Sequence, residues 1–202
     1  MSATGRGSKR NKSDYYETPR RLADASLDYI RSHYAVTPSV TRPTRILDPG
    51  AGRGVWGRAA RAIWREAEIV GVDRHRPRPS LGGYAYDKWY RCSYTTFERY
   101  YHYRKPDLII GNPPYSLAQS FIETSLRLLA PGGLLAFLLR INLLAGQCRE
   151  EFWQRHPLSR LVTCVERPSF NGNGSDATEY ALFVWSDRFL LYGPKIEWMS
   201  WR

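Results

Sequence analysis

The chain has few of the residues that build stapled or metal-held folds. Its 202 residues include three cysteines and four histidines. Cys92, Cys148 and Cys164 form no C-x-x-C pair, and no cysteine–histidine spacing suits zinc. A disulfide scaffold and a zinc module are excluded, no metal site is expected, and a reduced, cytoplasmic setting is the simplest inference. No apolar run approaches the roughly 20 residues of a membrane helix, so a membrane partner is not expected. Met1–Lys12 (MSATGRGSKRNK) is basic but has no apolar stretch, which excludes a secretory signal. Residues 1–14 read instead as a basic, disordered arm. Acid is scarce: 19 Asp and Glu face 30 Lys and Arg, for a formal net charge of +11. No internal repeat is visible, which excludes a solenoid.

Arginine and tyrosine are what the sequence has in quantity. Basic residues cluster at Arg74-His75-Arg76-Pro77-Arg78 and across Arg99–Lys105 (RYYHYRK). Such a surface attracts polyanions, nucleic acid above all, and the interleaved tyrosine rings can stack on bases. The length suits one compact domain. Helical periodicity runs over Thr18–Tyr34, with Leu22, Ala25, Ser26, Tyr29 and Ile30 on one face, Pro19 in the first turn and Thr18 as cap. Further helices are expected over Val55–Glu66, over Ser116–Ala130 with Leu117, Phe121, Ile122, Leu126 and Leu129 inward, and over Leu143–His156. Strands are expected at Thr44–Asp48, Ala67–Asp73, near Tyr90–Thr95, Asp107–Gly111, Leu134–Arg140, Leu161–Arg167 and Glu179–Ser186. This alternation predicts an α/β fold built on a seven-stranded, mostly parallel Rossmann-like sheet. The last two strands have no helix between them and should form an antiparallel hairpin.

Ligands of such sheets bind outside the carboxyl ends of the strands. The stretch LDPGAGRGVWG, Leu47–Gly57, sits at such an end. Gly50, Gly52 and Gly54 let a ligand approach the backbone and allow positive φ. Asp48 offers a carboxylate to a hydroxyl or an ammonium, and Asp73, ending the next strand, is placed for ribose hydroxyls. Gly52–Gly57 matches the G-x-G-x-x-G of dinucleotide sites, so a nicotinamide enzyme is one reading. The lead-in Asp48, Pro49, Gly50, Ala51, Gly52 suits S-adenosyl-L-methionine (SAM), whose ammonium group wants a carboxylate. A tight strand-to-helix turn without a ligand would show the same spacing.

The second constellation is Asn112-Pro113-Pro114-Tyr115, directly after a buried strand. Residues before proline are pushed out of the α region, so the backbone should stay extended past the strand end. Proline donates no N–H. Asn112 therefore projects its amide oxygen beside the carbonyl of Pro113, and Tyr115 adds a flat face. Two fixed acceptors and a ring describe a pocket for an aminated heterocycle or an amide. Hydrogen bonds from both N–H groups of an adenine amine would favour a pyramidal nitrogen and aim its lone pair at an electrophile, with no strong base required.

Asp48–Gly54, Asp73 and Asn112–Tyr115 together resemble the ordered motifs of the SAM-dependent adenine-N6 DNA methyltransferases, and the likeness runs from about Tyr15 to Trp185. Asn-Pro-Pro-Tyr is that superfamily's catalytic signature. YYETPRRLADASLDYI resembles its N-terminal cofactor motif, which implicates Tyr15, Thr18 and Pro19 at the methionine end of SAM. RPSFNGNGSDATEYALFVW resembles the late aromatic loop and terminal hairpin of small phage-type members. By that likeness Phe170 sandwiches the target adenine against Tyr115. The resemblance implies SAM as cofactor, nucleic acid as partner with DNA favoured over RNA, and flipping of the target base.

Two departures follow. The family places an acid after the third strand for the adenine amine of SAM; here the spacing falls near Ser93, and Asp87 is the nearest acid upstream. Residues 15–202 also leave no room for a large target-recognition domain. Sequence choice then falls to the Arg74–Gly83, Arg99–Lys105 or Phe170–Thr178 loops, to the arm, or to a specificity partner. Arg140 either contacts phosphate or pairs with Glu150 or Glu151. Other readings are an adenine methyltransferase of tRNA or rRNA, a protein glutamine methyltransferase, and a nucleic-acid-binding module without SAM.

Overall fold

The computed structural model describes residues 17–34, 42–75, 85–102, 104–170, 178–186 and 194–201. The arm at 1–14, Tyr15, and the loop segments 76–83 and 171–177 lie outside the described residues. Among the described residues eight strands form one sheet: β1 Arg45–Pro49, β2 Glu68–Asp73, β3 Lys88–Arg91, β4 Leu108–Gly111, β5 Leu134–Arg140, β6 Arg160–Cys164, β7 Tyr180–Trp185 and β8 Lys195–Met199. Their order is β3-β2-β1-β4-β5-β7-β6-β8. β1 to β5 run parallel, and β7 is antiparallel to both β5 and β6, which gives the expected hairpin. The helices are α1 Arg20–Tyr34, α2 Val55–Ile63, α3 Tyr94–Phe97, α4 Ala118–Leu128 and α5 Glu150–Arg155.

β5 shows why the sheet forms where it does. Leu134, Ala136 and Leu138 enter one apolar layer, with α1 and α2. Leu135, Phe137 and Leu139 enter the other, with α3, α4 and α5. A strand covered on both faces needs an unbroken apolar run rather than alternation, and LLAFLL is one. Each Leu or Phe so buried contributes roughly 1.5–3 kcal/mol.

The structure corrects the sequence reading at several points. The sheet has eight strands, not seven: β8 pairs in parallel with β6 at the rim. Its Ile196 and Trp198 are 62% and 69% exposed, so the strand carries little burial signal. β3 starts before Tyr90, and the chain turns helical at Tyr94, because Tyr94, Phe97 and Tyr101 recur at helical spacing and pack into one aromatic cluster with Phe121. The inward face of α1 is Leu22, Ala23, Ser26, Leu27 and Ile30; Ala25 and Tyr29 sit at its margin. In α4 the buried residues are Ala118, Phe121, Ile122, Thr124, Ser125 and Leu128, while Leu117 is exposed. The helix expected over Leu143–His156 is broken by Gly146, whose φ of 119° no helix accommodates.

Parallel strands put all their carboxyl ends on one side. The glycine loop after β1, Asp73 and Arg74 after β2, Ser93 after β3, Asn112 after β4 and Arg140 at the end of β5 therefore share one rim. The segment that follows β6, with Phe170, leaves at the same rim. The Arg99–Lys105 loop does not. It feeds the amino end of β4, and the carbonyl of Arg104 is held there by Arg45 at the start of β1 (2.6 Å).

Candidate functional site

A cavity of about 590 Å³ opens at the shared rim, lined among others by Thr18, Gly50, Gly52, Asp73, Ser93 and Asn112. The size is typical of a small-molecule site. Gly50, Gly52 and Gly54 all have positive φ (69°, 53° and 80°), a conformation that L side chains resist. The loop is anchored across β2: the N–H groups of Gly50 and Ala51 donate to Val72 carbonyl (2.8 and 3.2 Å). Asp73 pins it from the side, one carboxylate oxygen accepting from Gly52 N–H (2.9 Å), the other from His75 N–H (2.8 Å). Each oxygen keeps a second lone pair, and Asp73 still faces the cavity.

Asp48 does not line the cavity, contrary to its expected role there. It is fully buried, and Tyr86 Oη donates to its Oδ2 (2.6 Å). Its Oδ1 has no hydrogen-bond partner among the described residues. Burial pushes the carboxyl up to about 7; the Tyr86 hydrogen bond works against this, and the Asp73 charge adds to it. Gly57 explains the end of the G-x-G-x-x-G match. A Cβ there would overlap the Tyr86 ring, so the third glycine makes room for the tyrosine that reaches Asp48. Pro49 ends β1 beneath the loop, buried and away from the cavity wall.

Of the two candidates near β3, Ser93 lines the cavity and Asp87 does not. Asp87 sits at the amino end of β3, ion-paired with Arg61 and accepting from Ile69 N–H (2.7 Å). A parallel strand places its first residue at the wrong rim. Pro19 directly precedes α1, its carbonyl accepting from Leu22 and Ala23 N–H (3.0 and 3.2 Å). Thr18, expected as a cap, is instead buried, and its Oγ1 receives Trp56 Nε1–H and Asn112 Nδ2–H, each at 3.2 Å.

Asn112 and Pro114 share the cavity wall with the glycine loop. Pro114 is extended (φ −55°, ψ 127°), and its carbonyl accepts from Leu117 N–H (2.9 Å). No described residue donates to the carbonyl of Pro113, which is buried. Tyr115 is not part of the cavity lining and packs into an aromatic nest. Arg140 lays its guanidinium over the Tyr115 ring, 4.4 Å from the centroid, and donates from Nε to Tyr180 Oη (3.0 Å). Tyr180 packs on both Tyr115 (5.8 Å) and Phe170 (4.9 Å), so the two expected stacking rings meet through a third. Burial and the neighbouring Tyr180 push the Tyr115 phenol well up and keep it neutral. Glu150 and Glu151 are engaged elsewhere, with Gln154 and Arg155.

Tyr86, Trp56 and Tyr180 were missed as site residues. Tyr180 carried one signal, a tyrosine opening a strand at the site rim; Tyr86 carried none. Among the described residues no group of three or more His, Cys, Asp or Glu could hold a metal, and no helix is long and apolar enough to cross a membrane.

The strand order and direction define the fold of class I SAM-dependent methyltransferases. No protein-family model matches the sequence, and no curated protein does. Solved structures do. A protein from Listeria monocytogenes, assigned as a class I SAM-dependent methyltransferase, aligns over 96% of this chain and 68% of its own, with 14% identity and a TM-score of 0.64. The methyltransferase subunit of a type I restriction-modification system from Streptococcus thermophilus aligns over 85% of this chain and 44% of its own (12% identity, TM-score 0.65). A modification subunit assigned to a type I restriction enzyme of Vibrio vulnificus aligns over 94% and 48% (15% identity, TM-score 0.64). The chain spans about half the length of these two subunits.

Proposed function

We propose that the protein transfers a methyl group from SAM to the N6 amine of adenine in DNA, with the target base flipped out of the duplex. The observation that carries this reading is the shared wall: Asn112 and Pro114 of the Asn-Pro-Pro-Tyr segment line the same cavity as Gly50, Gly52 and Asp73. An amine held at Asn112 is thus held beside whatever the glycine loop binds. The anchored glycine loop and Asp73 fit the methionine and ribose parts of SAM, and Ser93 is placed for its adenine end. When bound, SAM supplies an electrophilic methyl group on a sulfonium.

The chain's own residues provide position. Asn112 Oδ1 and the Pro113 carbonyl accept the two N–H groups of the adenine amine, leaving its lone pair directed at the methyl. Methyl transfer forms the N–C bond as the S–C bond breaks, and the extra proton then leaves the nitrogen for solvent. Flipping costs a few kcal/mol of unstacking, which stacking of the base on Tyr115 and Phe170 offsets. The basic composition supports a nucleic acid over a protein substrate, and the likeness to restriction-modification subunits supports DNA.

Incubation of unmodified DNA with labelled SAM, followed by nucleoside mass spectrometry, tests the reading. N6-methyladenine is expected, and Asn112→Ala should lower its rate by about 100-fold or more with little change in binding of S-adenosylhomocysteine (SAH). Product in tRNA or rRNA, or on a protein glutamine, with none in any DNA would overturn it.

A further inference from the structure

We propose that Thr18 is a positioning residue for Asn112, held in that role by Trp56; the inference rests on the function proposed above. The three side chains come from separate parts of the chain: the entrance to α1, the first turn of α2 and the end of β4. They converge on one oxygen. Thr18 Oγ1 is 3.2 Å from Trp56 Nε1 and 3.2 Å from Asn112 Nδ2. Thr18 and Trp56 are only 4% and 3% exposed, so little of the shared oxygen's surroundings is open to water.

The observed bonds give each of the three groups one role. An indole N–H can only donate, a hydroxyl oxygen has two lone pairs, and an amide carries its donor and acceptor on opposite branches. Trp56 occupies one lone pair of Thr18 and the Asn112 amide hydrogen occupies the other. The hydroxyl hydrogen of Thr18 is then directed away from Asn112. With Nδ2 bound to Thr18, the amide oxygen of Asn112 lies on the branch turned from it. That is the atom the proposed reaction needs, because an amide rotated by half a turn would oppose donors to the donors of an amine. Such an error of orientation is costly, since a misplacement of about 1 Å can cost on the order of 100-fold in rate. Thr18 reaches Asn112 only when the start of α1 packs on α2.

Two measurements test this on the full-length protein. In ¹⁵N–¹H spectra the side-chain amide pair of Asn112, assigned by its loss in Asn112→Ala, should shift clearly in Thr18→Val and in Trp56→Phe and return towards its parental position in Thr18→Ser. The same spectra report whether each variant is folded, and the Ser and Phe variants keep the test open if Val does not fold. An amide pair unmoved in folded Thr18→Val or Trp56→Phe would overturn the proposal, whatever the substrate. In single turnover at saturating SAM, Thr18→Val should slow methylation by about 10-fold or more and Thr18→Ser should restore most of it. Thr18→Val should add little in the Asn112→Ala background. Equal losses in both backgrounds would mean that Thr18 only shapes the cavity. If no nucleic acid is methylated but the amide pair responds, the positioning stands and the assignment of the substrate falls.

Discussion

Asp48→Asn should separate the cost of a buried carboxylate from every other pH effect on this fold. The Asp48 carboxyl is fully buried and pushed up from 3.8 to about 7. In the unfolded chain it ionises near pH 4. Between these values the folded protein binds a proton that the unfolded chain has released, so stability falls as pH rises from about 4 to about 7 and then levels off. At 1.36 kcal/mol for each tenfold change in proton affinity, the full loss is about 4 kcal/mol, of which about 2.5 kcal/mol falls between pH 5 and pH 8. Asparagine cannot ionise, is nearly the same size and still accepts from Tyr86. The stability of Asp48→Asn relative to the parent should therefore grow by about 2.5 kcal/mol from pH 5 to pH 8, seen as a gain of about 5–10 °C in relative melting temperature. Urea unfolding at four pH values for both proteins measures it. Groups that do not sense the Asp48 charge contribute equally in both proteins and cancel. Parallel profiles across that range would show that Asp48 keeps its ordinary carboxylate behaviour and would refute the reasoning.

Three other outcomes follow from the geometry. Gly57→Ala should destabilise the protein by about 1–3 kcal/mol through overlap with Tyr86, and replacing Tyr86 with leucine in the same chain should recover part of the loss in a thermal melt. Asp87→Ala should leave SAH affinity within about twofold, because Asp87 sits at the far end of β3, whereas Ser93→Val should weaken binding measured by calorimetry by about tenfold, the worth of one lost hydrogen bond. Joint replacement of Arg99, Arg104 and Lys105 by alanine should leave the salt slope of DNA binding unchanged, while Arg74→Ala at the site rim should reduce it by about one charge. A flattened slope in the triple variant would put DNA on the opposite face.

Much of the fold was legible because the sheet is covered on both faces. β4, β5 and β7 have no exposed position to interrupt their apolar runs, so their positions along the chain could be read directly. β8 could not, since its burial falls on Met199 alone. The α5 region was misjudged for a related reason. Its apolar spacing favours a helix, but the single residue Gly146 redirects the backbone, and periodicity does not weigh one glycine against many favourable neighbours.

The candidate site divides the same way. Gly50, Gly52, Asp73, Ser93 and Asn112 follow strand ends, and the parallel sheet brings such positions together wherever they lie in the chain. What holds them is set by contacts between distant segments, which spacing does not encode. The G-x-G-x-x-G match shows this most sharply. Gly57 satisfies the pattern, and the pattern assigns it to close packing beside a dinucleotide; in the structure it clears space for Tyr86, which donates to the buried Asp48. Thr18 likewise reads as a helix cap until Trp56 and Asn112 are seen to meet on its oxygen. A motif therefore reports where the backbone must bend, while the side chain that fills the bend decides which group remains available to a ligand. Here Tyr86 engages Asp48, so the acid that ends β2, rather than the one that opens the glycine loop, lines the cavity together with Glu17.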